Sequence, residues 1–234
     1  MDLKRITDLK RISDQSLRPL NEFYGHSFFI ACNGKVSNQF SITGNEFMVC
    51  SYGGCGSTML HKSLQKYGVS HHVHSRCPPE KLEYISDEHF NGTPIHPDQL
   101  HRVKVIYIYR EPTTAILSWD RRFDNDTFTS HLKHIESPHL MNLEQMASTL
   151  EDKYGVQDFY RNYTTKAPRN YQIYCVKYED LVQHQDQLSQ WLGIGPLGIQ
   201  IVEHKHESVH KDKLENIYSE LSEQMKHNKP IFIT

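Results

Sequence analysis

The sequence has no apolar run of about 18 residues or more, the length that a membrane-spanning helix requires. It has no excess of positive charge: 26 Lys and Arg stand against 28 Asp and Glu, a formal charge of −2. Nothing global therefore points to nucleic acid, and an anionic ligand would need a local positive site. The cysteines Cys32, Cys50, Cys55, Cys77 and Cys175 are scattered and show no CxxC spacing, which argues for reduced thiols rather than a disulfide framework or a zinc knuckle. The first residues, MDLKRITDLKRISD, are too polar for the apolar core of a signal peptide, so a cytoplasmic location is expected.

What is present is enough chain, 234 residues with 37% hydrophobic, for one sizeable α/β core. Residues 1–45 read as an N-terminal extension packed on that core. LKRITD (3–8) is followed at once by LKRISD (9–14), and Leu3, Ile6, Leu9 and Ile12 place apolar groups on one face of a helix. Asn33-Gly34 is a turn signal. Residues 46–234 read as a single domain in which strands and helices alternate.

Four short apolar runs are predicted as strands: 47–52, 69–76, 103–109 and 171–177, the third being the richest in β-branched and aromatic residues. Helices are predicted over 57–68, closed by Gly68, and from 113 to about 122 behind a first-turn Pro112. Residues 77–102 are rich in proline and histidine and read as a loop. Residues 123–170 hold one predicted helix, with Leu143, Met146, Leu150 and Tyr154 on one side. Leu214, Ile217, Tyr218, Leu221 and Met225 mark a last amphipathic helix. Strands alternating with helices imply a parallel β-sheet flanked by helices, whose ligands bind at the carboxyl ends of the strands.

Three motifs fall at such ends. SYGGCGST (51–58) joins a strand to a helix; its glycines let the backbone turn tightly and expose consecutive N–H groups at a helix N-terminus, a phosphate site. An ATP-type loop would carry GK[ST], but Ser57 follows Gly56 directly. In YREPTTAILS (109–118), Arg110 ends a strand and Ser118 lies about two helical turns further on, so a guanidinium and a hydroxyl can hold a second phosphate. In VKYEDLVQH (176–184), Tyr178 can lie against a purine and Asp180 can cap the following helix.

In this order, the glycine loop, the strand ending in R-x-P-x-x-x-x-x-S, and the YEDL before a helix ending in WLG resemble the sulfotransferase family that uses 3′-phosphoadenosine-5′-phosphosulfate (PAPS). The resemblance covers residues 47–76, 103–122 and 171–195. It implies a P-loop-like sulfotransferase architecture and transfer of a sulfuryl group from PAPS to a hydroxyl or amine of a small-molecule or carbohydrate acceptor. It also implies that Gly54, Cys55, Gly56, Ser57 and Thr58 wrap the 5′-phosphosulfate, that Arg110 and Ser118 bind the 3′-phosphate, and that Tyr178 lies near the adenine. Many members carry a basic residue in the loop, where this chain has Gly54. Arg76, Lys62 or a C-terminal basic residue are the candidate substitutes. The RKGxxGxWK loop of the cytosolic members is also missing, and Lys205, Lys211 and Lys213 are candidates for its contacts.

Transfer to a hydroxyl needs a base for the acceptor proton, and a histidine suits that role. In HHVHSRCPP (71–79), His72 and His74 alternate onto one face and His71 onto the other. His74, nearest the strand end, is the expected base and His72 the second choice; Glu80 and Glu111 are the carboxylate alternatives. His72, His74 and Cys77 are metal-ligand types without a second cluster at zinc spacing, so no metal is expected. Two rival readings stay open: a P-loop kinase acting on a nucleotide or small molecule, and a non-catalytic nucleotide-binding module. Cys55 as a phosphatase nucleophile would want an arginine closing the loop, where Thr58 and Met59 stand instead.

Overall fold

The computed structural model describes residues 27–32, 35–41, 45–85, 92–94, 102–201 and 208–234. The repeat at 3–14 and Lys205 lie outside the described residues. The strands in chain order are β1 (Ser27–Cys32), β2 (Lys35–Ser41), β3 (Glu46–Cys50), β4 (Val69–Val73) and β5 (Lys81–Ile85). They continue with β6 (Gly92–Pro94), β7 (Val103–Tyr109), β8 (Ile173–Lys177) and β9 (Ile231–Ile233). The helices are α1 (Ser57–Leu64), α2 (Pro112–Arg122), α3 (Asn125–His134), α4 (Leu143–Thr149), α5 (Val156–Thr164), α6 (Leu181–Leu192), α7 (Lys211–Ile217) and α8 (Ser219–His227).

The chain is α/β, with a mostly parallel five-stranded sheet in the order β4-β3-β7-β8-β9. The pairs β3–β4, β3–β7 and β7–β8 are parallel, and β9 closes the edge antiparallel to β8. The central strands are hydrophobic because both their faces are covered. Phe47, Met48, Val49 and Cys50 of β3 and Val105 to Tyr109 of β7 have no exposed surface. Each such Val or Ile side chain contributes about 1.5–3 kcal/mol by burial.

From β3 the chain crosses through α1 to β4 on one side, whereas β7 lies on the other side of β3. The carboxyl ends of β3 and β7 therefore flank a switch point, where connections diverge and leave a crevice. The glycine loop follows β3, and Arg110 follows β7.

A second, antiparallel sheet runs β2-β1-β5-β6. β1 pairs β2 with Cys32 opposite Lys35, on either side of the Asn33-Gly34 turn signal. β1 also pairs β5, so strands from 1–45 and from 77–102 share one sheet. The latter segment was expected to be a loop. Its β5 escapes a local reading because KLEYI is short and its partner β1 is remote in sequence.

Two helical predictions also need correction. Residues 123–170 hold α3, α4 and α5 rather than one helix. Asp124 caps α3 through the Thr127 N–H at 2.8 Å, and Asn142 and Gln145 form a capping box on α4. α4 ends where Leu150 turns left-handed and exposed, so the Leu143–Tyr154 face is interrupted. The last amphipathic segment divides into α7 and α8 at Tyr218. Its apolar face survives the break: Leu214, Tyr218, Leu221 and Met225 are buried. No described helix is long and apolar enough to cross a membrane.

Candidate functional site: a cationic cleft at the switch point

The glycine loop, residues 51–56, is held from beneath. The Gly53 N–H donates to Ser51 Oγ at 3.1 Å, and Ser51 Oγ lies 2.9 Å from Ser57 Oγ. Gly54 and Gly56 have φ of 67° and 76°, which L side chains rarely adopt. A Cβ on Gly54 would lie 2.5 Å from the Ala115 carbonyl oxygen of α2, and one on Gly56 would lie 2.4 Å from the Tyr178 ring. Among the described residues, the backbone N–H groups of Gly54, Cys55, Gly56, Ser57 and Thr58 donate to no protein acceptor. Five consecutive donors at the start of α1 form an anion cradle.

Tyr52 couples this loop to the next strand. Its hydroxyl accepts the Arg110 N–H at 3.1 Å and donates to the Arg110 carbonyl oxygen. The Arg110 guanidinium sits over Tyr178, 4.5 Å from the ring centroid, and donates to the Gly54 carbonyl oxygen at 3.4 Å. Glu179 completes the junction: it accepts the Glu111 N–H at 3.1 Å and lies 3.9 Å from Arg110 Nε. Burial holds the Glu179 carboxyl above its ordinary value.

These elements enclose a cleft of about 820 Å³, a size suited to a nucleotide. Gly54, Gly56, Ser57, Thr58, His72, His74, Arg110, Ser118 and Tyr178 all line it. Of the donor-binding and base residues first chosen from sequence, Cys55 alone does not. Its side chain turns into the core and donates to the Gly53 carbonyl oxygen at 2.9 Å. Burial pushes its thiol well up, so it is no thiolate nucleophile, and only its backbone N–H can serve a ligand. Lys62, Arg121 and Arg122 add positive charge to the lining, and among the described lining residues none is Asp or Glu. A chain of net charge −2 thus gathers four cationic side chains around one cavity.

Histidines form one wall. His74 Nδ1 donates to the Ser51 carbonyl oxygen at 2.5 Å, and His72 Nε2 lies 2.7 Å from Ser57 Oγ. Their rings meet edge to face at 4.5 Å, and His131 and His134 pack on His74 at 5.7 and 5.0 Å. Burial lowers His74 to about 4; burial and the neighbouring imidazoles lower His72 and His131 to about 3. All three are neutral at pH 7. His71 points to the opposite side, as the alternation requires, and meets Glu46 at 3.1 Å. Among the described residues, no three His, Cys, Asp or Glu side chains are grouped to hold a metal ion.

Other sequence candidates fall away from the cleft. Arg76 bonds Asp158 at 3.1 Å and the Glu136 carbonyl oxygen at 3.2 Å. Glu111 caps α2, accepting from the Thr113 and Thr114 N–H groups at 3.0 and 2.7 Å. Glu80 is exposed outside the cleft. Lys211 faces Glu215 on α7 at 3.6 Å, and Lys213 is exposed outside the cleft. Asp180 makes no cap; it pairs with Lys177 at 3.5 Å. Sequence reasoning missed Tyr52, His131, Arg121 and Arg122. The last two follow Ser118 by three and four residues, a spacing that puts them on its side of a helix. No family model matches the chain, and no curated protein or solved structure matches it.

Proposed function

We propose that the chain is a PAPS-dependent sulfotransferase with a P-loop-like architecture. It transfers a sulfuryl group to a hydroxyl or amine of a small-molecule or carbohydrate acceptor and leaves 3′,5′-ADP. The observation that carries this reading is the cleft at the β3/β7 switch point. Five free backbone donors open α1, four of their residues line the cavity together with Arg110 and Ser118, and no described lining residue is anionic. PAPS carries a phosphosulfate at one end and a phosphate at the other, the distribution that two such positive regions complement.

In this reading the loop N–H groups take the 5′-phosphosulfate, Arg110 and Ser118 take the 3′-phosphate, and Tyr178 bears the adenine. As the acceptor oxygen bonds to sulfur and the sulfur–oxygen bond to the 5′-phosphate breaks, His74 removes the acceptor proton and the leaving phosphate keeps the electron pair. Most of the rate enhancement comes from positioning and from preorganised donors aimed at the developing charge.

The test is calorimetric titration with 3′,5′-ADP and ATP in the absence of magnesium, followed by turnover of labelled PAPS against an acceptor library. Tighter binding of 3′,5′-ADP together with sulfated product is the expected result. Preference for ATP moves the chain to the kinase class. Binding of 3′,5′-ADP without turnover of any acceptor moves it to the non-catalytic class.

A further inference from the structure

Arg122 is the last residue of α2, and helical side chains run back toward the helix N-terminus. Its Nε donates to the Ser118 carbonyl oxygen at 2.9 Å. That bond sets the guanidinium beside Ser118, over the Phe123 ring at 5.2 Å from its centroid. Both residues line the cleft with Arg110. The charge that the end of α2 adds there has no carboxylate partner among the described residues. Among the described residues Arg110 has Glu179 at 3.9 Å, while the ion pairs include neither Arg121 nor Arg122. Burial, then the like charges of Arg121 and Arg110, hold Arg122 below its ordinary value. Gathering guanidiniums of one sign around a cavity is unfavourable until an anion enters between them.

We infer that Arg122 is a binding residue for the ligand's second phosphate, the one outside the glycine loop, and that it closes on that phosphate with Arg110 across Ser118. The inference rests on the two-phosphate ligand of the preceding section. Arg122 supplies the contact that sequence reasoning sought in Lys205, Lys211 and Lys213. A planar guanidinium already oriented by its Nε bond presents its two terminal amino groups as a fork, which suits two phosphate oxygens. Arg121 and Arg122 are both exposed and both line the cleft, but only Arg122 is oriented by a bond to Ser118; without one, Arg121 contributes screened charge.

The experiment measures the affinity of 3′,5′-ADP, 5′-ADP and 5′-AMP for the full chain and for Arg122→Gln, Arg122→Lys and Arg121→Gln. Arg122→Gln is expected to weaken 3′,5′-ADP about 10- to 100-fold and 5′-AMP less than about threefold. Arg122→Lys, which keeps the charge and loses the fork, falls between, and Arg121→Gln shifts affinity less than about threefold. The melting temperature of each ligand-free variant and its rise on adding 3′,5′-ADP guard against a merely structural role. A lowered ligand-free value with an unchanged ligand-induced rise overturns the inference, as does equal weakening of 3′,5′-ADP and 5′-AMP. Weakening of 5′-ADP alone removes the 3′-phosphate reading and leaves Arg122 on a second phosphate. If the unaltered chain binds no 3′,5′-ADP, inorganic pyrophosphate is the probe. Binding that Arg122→Gln abolishes then sustains the inference while the proposed function falls, and no binding overturns both.

Discussion

His74 Nδ1 sits 2.5 Å from the carbonyl oxygen of Ser51, the residue that opens the glycine loop. A carbonyl only accepts, so Nδ1 carries the proton and Nε2 carries the lone pair. The bond thus fixes both the tautomer and the ring's position relative to the anion cradle. His74→Ala is expected to lower turnover about a hundredfold to ten-thousandfold, the usual contribution of a general base. Affinity for 3′,5′-ADP should hardly change, because its phosphates are held elsewhere. The base works when neutral, and burial lowers His74 to about 4. The acid limb of kcat/KM should therefore lie near that value. An anionic donor in the cleft favours the imidazolium, so the limb of kcat should lie at higher pH. A fully active His74→Ala enzyme would move attention to His72.

The same wall of histidines makes a prediction about stability. His72, His74 and His131 have folded values of about 3 to 4, below the ordinary 6.5 that the unfolded chain regains. Between these limits the unfolded state binds more protons, so stability rises with pH. The contribution is complete above about 6.5 and is lost as pH falls toward 3 to 4. Urea midpoints measured from pH 7 down to pH 4.5 should fall, and His131→Phe should flatten the slope. An unchanged slope in that variant would remove His131 from the linkage.

Gly54 stands where many sulfotransferases of the proposed class carry a basic loop residue, and the obvious repair should fail. Its φ of 67° is left-handed, and a Cβ would meet the Ala115 carbonyl oxygen at 2.5 Å. Left-handed backbone alone costs a non-glycine residue about 1–2 kcal/mol, and displacing α2 adds to that. Gly54→Ala should lower stability by at least about 2 kcal/mol in chemical unfolding. Gly54→Lys should do the same without raising turnover. A Gly54→Lys enzyme that is stable and faster would show that the loop can open away from α2.

The sequence made the switch-point geometry legible because its signals are local. β7 carries a β-branched and aromatic run, Pro112 starts α2, and the glycines end β3. Those three features suffice to bring Arg110, Ser118 and the loop to one end of one sheet. The β1–β5 pairing was not legible, since nothing in KLEYI names a partner some fifty residues away. The break at Tyr218 was hidden because an apolar face continues through it. Arg121 and Arg122 read as an ordinary basic helix end, favourable to the helix dipole. Both line the cleft, and the bond back to Ser118 sets Arg122 apart from its neighbour.

Arg110 gives the sharpest separation between a phosphate that is read and one that is merely attracted. It lies at the end of β7, pinned through its backbone by Tyr52 and through its side chain by Tyr178 and the Gly54 carbonyl oxygen. That preorganisation means little is lost on ordering it around a ligand. Arg110→Ala should weaken 3′,5′-ADP by about 2–4 kcal/mol, the loss of charge-assisted bonds in a partly desolvated site. Binding of 5′-AMP, which has no 3′-phosphate, should change far less. Arg110→Lys should recover only part of the loss, because an ammonium offers no planar fork. Calorimetry with both nucleotides at two salt concentrations distinguishes the cases. A general field effect would weaken both ligands and vanish at high salt. A direct contact to the 3′-phosphate keeps its selectivity there, and equal losses for the two nucleotides would show that Arg110 does not read that group.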